Sequence, residues 1–324
     1  MKILVTGASG FLGFAIAKKL RQQGHEIINF SRSSPEKLFT IGVDTFEGDL
    51  LESADLLDLF ETHQFDAVFH VAGKIAMWGD WSDFYNINVL GTKLLLELSK
   101  TYGVKKFIYT SSPSVAFGQD DLKGVDESVG YPEEYFSMYA RSKAMAEQTV
   151  LKMNSQEFLT CALRPHLIFG PGDENLIPRL LNAHRTGKLK RVGNGDNLVD
   201  VIYVDNAADA HIEAFKHLNY QSGVDGEAFF IGQGPVNLWS FIDQIMEKHQ
   251  LPKVTKSISF KKAYAIGSVI ETGLKILGKK NVDPPMTRFV AMQLAKSHYF
   301  SHKKAEERLH WKPQISLEKG IQSL

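Results

Sequence analysis

The first 165 residues alternate between two hydrophobic periods. Short runs rich in β-branched and aromatic residues, KILVT (2–6), HEIINF (25–30), DAVFHV (66–71), KFIYT (106–110) and FLTCALR (158–164), are apolar at most positions. Such runs suit strands covered on both faces of a parallel sheet. Longer stretches with helical patterning lie at 11–23, 52–63, 82–101 and 136–152. Alternation of this kind predicts an α/β chain with a doubly wound parallel sheet.

The texture changes after residue 165. A Gly/Pro-rich loop, GPGDENLIP, leads into a helical pattern at about 174–186, and VDVIYV (199–204) and EAFFIG (227–232) read as further sheet segments. Residues 237–324 are mostly helical in pattern, interrupted at Pro252, Pro284 and Pro285. The chain therefore divides into a parallel α/β unit at 1–165, to which about 199–235 returns, and a smaller, mostly helical C-terminal cap from 166–198 and 236–324.

Composition removes several function classes. The 324 residues are 44% hydrophobic, with 37 Lys+Arg against 37 Asp+Glu. No basic field argues for nucleic acid. The single cysteine, Cys161, sits in the apolar run LTCALR and reads as a core residue; it excludes an internal disulfide framework. No run approaches the roughly 18 apolar residues of a spanning helix, and MKILVTG is too short for a secretory apolar core. A cytoplasmic protein without a metal is expected.

The clearest local motif is GASGFLG, from Gly7 to Gly13, between a strand and a helix. Gly7 permits a tight turn, Gly10 lets a pyrophosphate approach the backbone, and Gly13 lets the helix pack on the sheet. The backbone from Ser9 through Phe11 and Leu12 then opens a helix whose free N–H groups favour phosphate. At the end of the second strand the chain reads INFSRSS, with Ser31 and Arg32 and no acid. A carboxylate there favours NAD, whereas an arginine pairs the 2′-phosphate of NADP. NADP(H) is thus expected over NAD(H).

The G-x-x-G-x-x-G spacing resembles the extended short-chain dehydrogenase/reductase superfamily, through about residue 235 and more weakly beyond. The resemblance implies a Rossmann unit and several contacts. Asp49 and Leu50 in GDL match its adenine site, and Val71, Ala72 and Gly73 in HVAG match its turn after the fourth strand. Asn88 in INVLGT matches an active-site asparagine. Thr110 closes the fifth strand, and Pro165 and Leu167 in LRPHLIFGPGD match the segment closing over nicotinamide.

Three Tyr-x-x-x-Lys pairs occur: Tyr102–Lys106, Tyr139–Lys143 and Tyr299–Lys303. The first straddles Gly103, and the third lies in the C-terminal cap. Tyr139 and Lys143, in FSMYARSK, begin a long helix downstream of a strand-end hydroxyl in YTSSPSV. Order and spacing match the superfamily's Ser–Tyr–Lys triad, with Ser112 as the serine and Ser111 as the alternative register. Tyr139 would exchange the proton of the alkoxide formed by hydride transfer, and Ser112 would bind the carbonyl oxygen. Lys143 would hold the nicotinamide ribose. A unit charge at about 4 Å with an effective dielectric of about 20 is worth about 4 kcal/mol, enough to bring a phenol from about 10 toward neutrality.

Sugar-nucleotide epimerases and dehydratases share this triad. They carry an arginine in a segment like RDYIHV, where this chain has Val199 in VDVIYV. A non-catalytic NADP-binding regulator is a further class, one that commonly lacks the tyrosine. The loop GKIAMWGDWSDF (73–84) and LRPHLIFGPGD resemble the 3β-hydroxysteroid dehydrogenase branch, including its sterol 4-carboxylate dehydrogenases and, more closely, bacterial 2-alkyl-3-oxoalkanoate reductases. An apolar ketone or secondary alcohol is the implied substrate, with Lys74, Met77, Trp78, Ser112, Ser114, His166 and Asn175 as candidate contacts. His166 either orients a polar head or packs and caps its turn. Residues 261–280, apolar at roughly helical spacing with lysines at both ends, form either a packed cap helix or a helix touching a membrane surface. The resemblance also implies a homodimer through the helices at 82–101 and 136–152.

Overall fold

The computed structural model describes residues 1–280 and 282–324. Its central sheet contains β1 (Lys2–Thr6), β2 (Glu26–Ser31), β3 (Asp44–Glu47), β4 (Ala67–His70), β5 (Lys106–Thr110), β6 (Leu159–Pro165) and β7 (Glu227–Ile231). These seven strands are parallel, in the spatial order β7-β6-β5-β4-β1-β2-β3. The expected apolar runs coincide with these strands to within one residue at each end. β3, with the polar sequence DTFE, lies at an edge, where one-sided pairing tolerates it.

Strand alternation sends side chains to two cores. Ile3, Val5, Phe69, Ile108, Leu163 and Phe229 face α1 (Phe11–Gln22) and a later helix at Val204–His217. Leu4, Ile28, Val68, Phe107 and Ala162 face the other side, against α2 (Ser53–Thr62), α3 and α4 (Met138–Lys152). Here α3 comprises Trp81–Phe84, a π-helical stretch Tyr85–Gly91, and Thr92–Thr101. Cys161 is fully buried in the first core.

Beyond β6 the chain forms α5 (Leu176–Arg185), α6 (Val204–His217), α7 (Leu238–Lys248), α8 (Phe260–Ile276) and α9 (Arg288–Ala295). The expected run at 199–204 is divided in the structure. Leu198–Val199 joins a four-stranded sheet with Val236–Asn237, His298–Phe300 and Leu122–Val125, while Ile202–Tyr203 pairs with Ile168–Phe169. Buried Asp200 separates them, accepting from the Phe300 amide at 2.9 Å and bonding His302 at 3.0 Å. The C-terminal stretch is mostly helical, with the short strands Ser257–Ile258 and His298–Phe300 inserted. No helix among the described residues is long and apolar enough to cross a membrane.

Candidate active site

Strand order reverses between β1 and β4, so their outgoing loops leave a crevice at the carboxyl ends of the strands. Gly7, at φ 76°, brings these loops together: a Cβ on it would lie 2.7 Å from the Ala72 amide nitrogen. Gly10 precedes α1 without a side-chain cap, and the first turn has no acid. The opening N–H groups are therefore left for an anion. The chemistry of this cradle, free N–H groups with no acid in the first turn, fits a dinucleotide's pyrophosphate. Asn29, buried within β2, stiffens it by accepting from the Ala8 amide at 3.1 Å and donating to Ser31 and Thr45.

At the end of β2, the Ser31 hydroxyl donates to the Ser33 carbonyl at 2.7 Å. Arg32 is exposed and has no carboxylate partner among the described residues. Asp49 accepts from the Leu51 amide at 3.0 Å, its own amide donating to Asp55 at 2.9 Å. This leaves a cation after β2 and a carboxylate after β3, on the same side of the crevice.

Asn88 lies in the π-helical part of α3, where widened backbone bonding turns its side chain into the site. Its Oδ1 accepts from the Lys74 amide at 2.7 Å. Its Nδ2 donates to the Lys74 carbonyl at 3.1 Å and to Ser142 at 2.9 Å. Behind it, the buried His70 ring bridges Thr6 at 2.7 Å and Thr92 at 2.8 Å, and Thr92 donates to the Asn88 carbonyl. Burial and nearby Lys143 push His70 down to about 3, so the ring is a neutral strut.

Ser137 caps α4 by accepting from the Ala140 amide, which sets Tyr139 in the first helical turn. Ser112 closes β5 by capping the 3₁₀ turn Pro113–Ala116 and bonding the Ser114 hydroxyl at 2.9 Å. Its hydroxyl faces the Tyr139 phenol. Burial raises the phenol's pKa, and Ser112 opposes that shift. Ser111 instead buries a hydroxyl without a partner among the described residues. Lys143, one turn after Tyr139, donates to the Thr110 carbonyl at 2.6 Å and lies 4.1 Å from the Tyr109 ring centroid. Burial lowers its pKa to about 7, partly offset by Glu147. The phenol is therefore raised where the lysine's charge was expected to lower it, because loss of hydration dominates both groups.

Glu147 follows Lys143 by another turn and is fully buried. It receives Arg164 through both carboxylate oxygens, at 2.9 and 2.6 Å, and the Tyr131 hydroxyl at 2.7 Å. This bidentate pair fixes β6 against α4.

A cavity of about 330 Å³ opens beside the start of α4. Met77, Trp78, Trp81, Phe84, Phe136 and Met138 supply apolar wall, and Leu274, Lys275 and Lys279 close one side. The 73–84 loop is fastened across it: Trp78 Nε1 donates to the Lys279 carbonyl at 2.9 Å, and Asp80 pairs with Lys280.

Comparison with known proteins agrees with this geometry. The model of the 3-beta hydroxysteroid dehydrogenase/isomerase family matches residues 4–261. The chain belongs to that family. It is 40% identical to the 2-alkyl-3-oxoalkanoate reductase of Stenotrophomonas maltophilia, covering 100% of this chain and 98% of the relative. It is 32% identical to the human decarboxylating sterol-4-alpha-carboxylate 3-dehydrogenase, covering 98% and 86%. UDP-glucose 4-epimerase from Thermus thermophilus, solved in complex with NAD, superposes with a TM-score of 0.77 at 19% identity, over 100% of this chain and 97% of that one. At that identity the likeness concerns the fold. The protein is an oxidoreductase of the extended short-chain class, acting on CH–OH donors, and its cofactor is a nicotinamide dinucleotide.

Within this family member, the structure brings Ser112, Tyr139, Lys143, Thr110 and Asn88 to one end of the sheet. Gly7, Ser9, Gly10, Phe11, Leu12, Gly13, Val71, Ala72 and Gly73 lie at the adjoining turns. Pro165 ends β6, and Leu167 follows at φ 42°. The candidate substrate contacts divide. Met77 and Trp78 line the cavity, and Ser114 bonds Ser112. Lys74 is paired with Asp83 at 2.7 Å. Asn175 is exposed before α5. His166 is buried, bonds His298 at 2.7 Å and meets Phe117 edge-on, the packing alternative rather than an open polar head group. Asn29, Thr92 and Glu147 escaped the sequence reading, as did the bridging role of His70 within its HVAG turn. A polar residue inside an apolar strand, as in IINF, is the signal that marks Asn29.

Proposed function

We propose that this chain is an NADP(H)-dependent reductase of β-keto acids carrying long alkyl groups, of the 2-alkyl-3-oxoalkanoate type. The observation that carries the reading is the convergence of Ser112, Tyr139 and Lys143 at the carboxyl ends of the strands, with Ser137 and Met138, immediately before Tyr139, lining the aromatic-walled cavity. The 40% identity to a named reductase over the full chain supports the substrate class, and unpaired Arg32 at the end of β2 supports NADP over NAD. Residues 166–198 and 236–324 act as the cap around the substrate.

The bound nicotinamide supplies or accepts a hydride at the substrate carbon. The turns at Gly7–Gly13 and Val71–Gly73 bind pyrophosphate and backbone-facing groups, Asp49 and Leu50 hold adenine, and Arg32 with Ser31 holds the 2′-phosphate. Thr110, Asn88, Pro165 and Leu167 surround the nicotinamide half. Ser112 donates to the ketone oxygen, and Tyr139 delivers the proton as charge develops there. A raised phenol pKa suits donation in the reductive direction, since the proton is retained until that charge appears. Lys143 orients ribose and restores the phenol's proton. The apolar walls at Met77 and Trp78 exclude water.

The test is a panel of 2-alkyl-3-oxoalkanoates, steroids and flavonoid ketones with NADPH and NADH, followed by nicotinamide absorbance. The reading expects turnover of the β-keto acids with NADPH. Turnover confined to steroids, or equal use of NADH, would reject its respective half.

A further inference from the structure

Lys143 carries its charge where little water reaches. The side chain is buried, and burial lowers its pKa to about 7, with only a partial offset from Glu147. The groups around it give the ammonium limited support. Its Nζ donates to the Thr110 carbonyl at 2.6 Å. Glu147, one turn along α4, has both carboxylate oxygens taken by Arg164 and one of them shared with the Tyr131 hydroxyl. Tyr139, one turn back, is a neutral phenol, and His70 on β4 is a neutral ring held between Thr6 and Thr92. Asn88 commits its amide to Lys74 and Ser142.

The remaining contact is aromatic. The ammonium lies over the face of Tyr109, 4.1 Å from the ring centroid. Strand alternation puts the ring there. Thr110 turns its hydroxyl to His211 at 2.9 Å on one side of the sheet, and Tyr109 packs on the other with Ala146 and Val150 of α4. Tyr109 is fully buried, and the His70 ring packs beside it at a centroid distance of 5.6 Å and a tilt of 32°, so the ring is fixed. The Tyr109 hydroxyl, by contrast, is buried without a partner among the described residues. A buried hydroxyl left unpaired costs stability. What this residue offers Lys143 is therefore its face, whose negative quadrupole attracts a cation most strongly where neither is hydrated.

We propose that Tyr109 is a positioning residue: its ring face holds the Lys143 ammonium charged and fixed, one helical turn from Tyr139. An aliphatic side chain would fill much of the same space and leave the Thr110 carbonyl as the ammonium's one direct partner among the described residues. The consequence for turnover rests on the proposed reaction, in which Lys143 restores the phenol's proton. The charge contact itself does not.

The Lys143 titration midpoint is read from lysine Cε chemical shifts in full-length protein without cofactor, as the resonance that Lys143→Met removes. Tyr109→Leu should lower that midpoint by about 1–1.5 pH units, because the charged form loses its support. Tyr109→Phe keeps the ring, drops the unpaired hydroxyl and should leave the midpoint in place. Ring fluorines on that phenylalanine weaken the face while nearly preserving its shape, so this series stays folded even where Tyr109→Leu disturbs the core. Each added fluorine should lower the midpoint further. The basic limb of the kcat/KM profile for ketone reduction should move down with it. A midpoint that ignores Tyr109→Leu and fluorination overturns the proposal. A fall as large in Tyr109→Phe as in Tyr109→Leu assigns the effect to the hydroxyl and also overturns it. A shifted midpoint with an unmoved kcat/KM profile overturns the positioning role. The titration needs no substrate, so its failure stands apart from a failure of the substrate panel.

Discussion

Lys143→Met separates the cost of burying an ammonium from its service in the reaction. In the cofactor-free protein, burial takes this lysine from an ordinary value of 10.5 to about 7. Unfolded chains keep the ordinary value. Below about pH 7 both states are protonated, and folding bears the full cost, about 5 kcal/mol at 1.36 kcal/mol per pH unit. Between the two values the unfolded state holds the extra proton, so stability rises with pH until both states are neutral. Methionine has no such term, but it leaves the Thr110 carbonyl without its 2.6 Å donor. That second loss, about 1–3 kcal/mol, is constant with pH. The difference between wild type and variant should therefore change by about 3 kcal/mol between about pH 6 and pH 9.5. At about 2.1 cal/mol/K per residue, this corresponds to about 4–5 °C in the melting temperature of a chain this long. Melting is measured without cofactor at both pH values, alongside turnover. The variant should gain most in relative stability at the acidic pH while losing activity. A wild-type-to-variant difference that stays flat across this range would refute a desolvated lysine.

Four further substitutions probe separate parts of the site. Tyr139→Phe should lower kcat by about 10²–10⁴-fold and leave cofactor affinity nearly intact by fluorescence titration; retained turnover would remove the phenol from its role. Arg32→Ala should reduce the preference for NADPH over NADH by about 10- to 100-fold in kcat/KM, the worth of a charge-assisted bond. Glu147→Gln breaks a pair whose side chains are 4% and 0% exposed and should cost about 3–5 kcal/mol by urea unfolding; a smaller loss would mean that Arg164 finds another partner. Gly7→Ala must adopt φ 76° with its Cβ against the Ala72 amide. It should lose about 1–3 kcal/mol of stability and weaken cofactor binding in the same titration.

The legible parts of this protein are those whose physics is local. Strands covered on both faces announce themselves as apolar runs, and one such strand ending in GASGFLG is enough to place a phosphate turn. Tyr139 and Lys143 share a face because they are four residues apart on one helix. What could not be read depends on distant segments meeting. His166 bonds a histidine 132 positions away, Asp200 serves an amide 100 positions away, and Trp78 is held by a carbonyl 201 positions away. The π-helical turn that aims Asn88 also lacks a local signature, because NINVLG is an ordinary helical sequence until His70 and Thr92 close behind it. This division has a functional consequence. Tyr139 and Lys143 are neighbours on one helix, whereas the cavity near the start of that helix is assembled between the 73–84 loop and the end of α8. Changes along α8 can therefore reshape that cavity without touching Ser112, Tyr139 or Lys143. Under the proposed function, the reaction class can stay fixed while the accepted ketone changes.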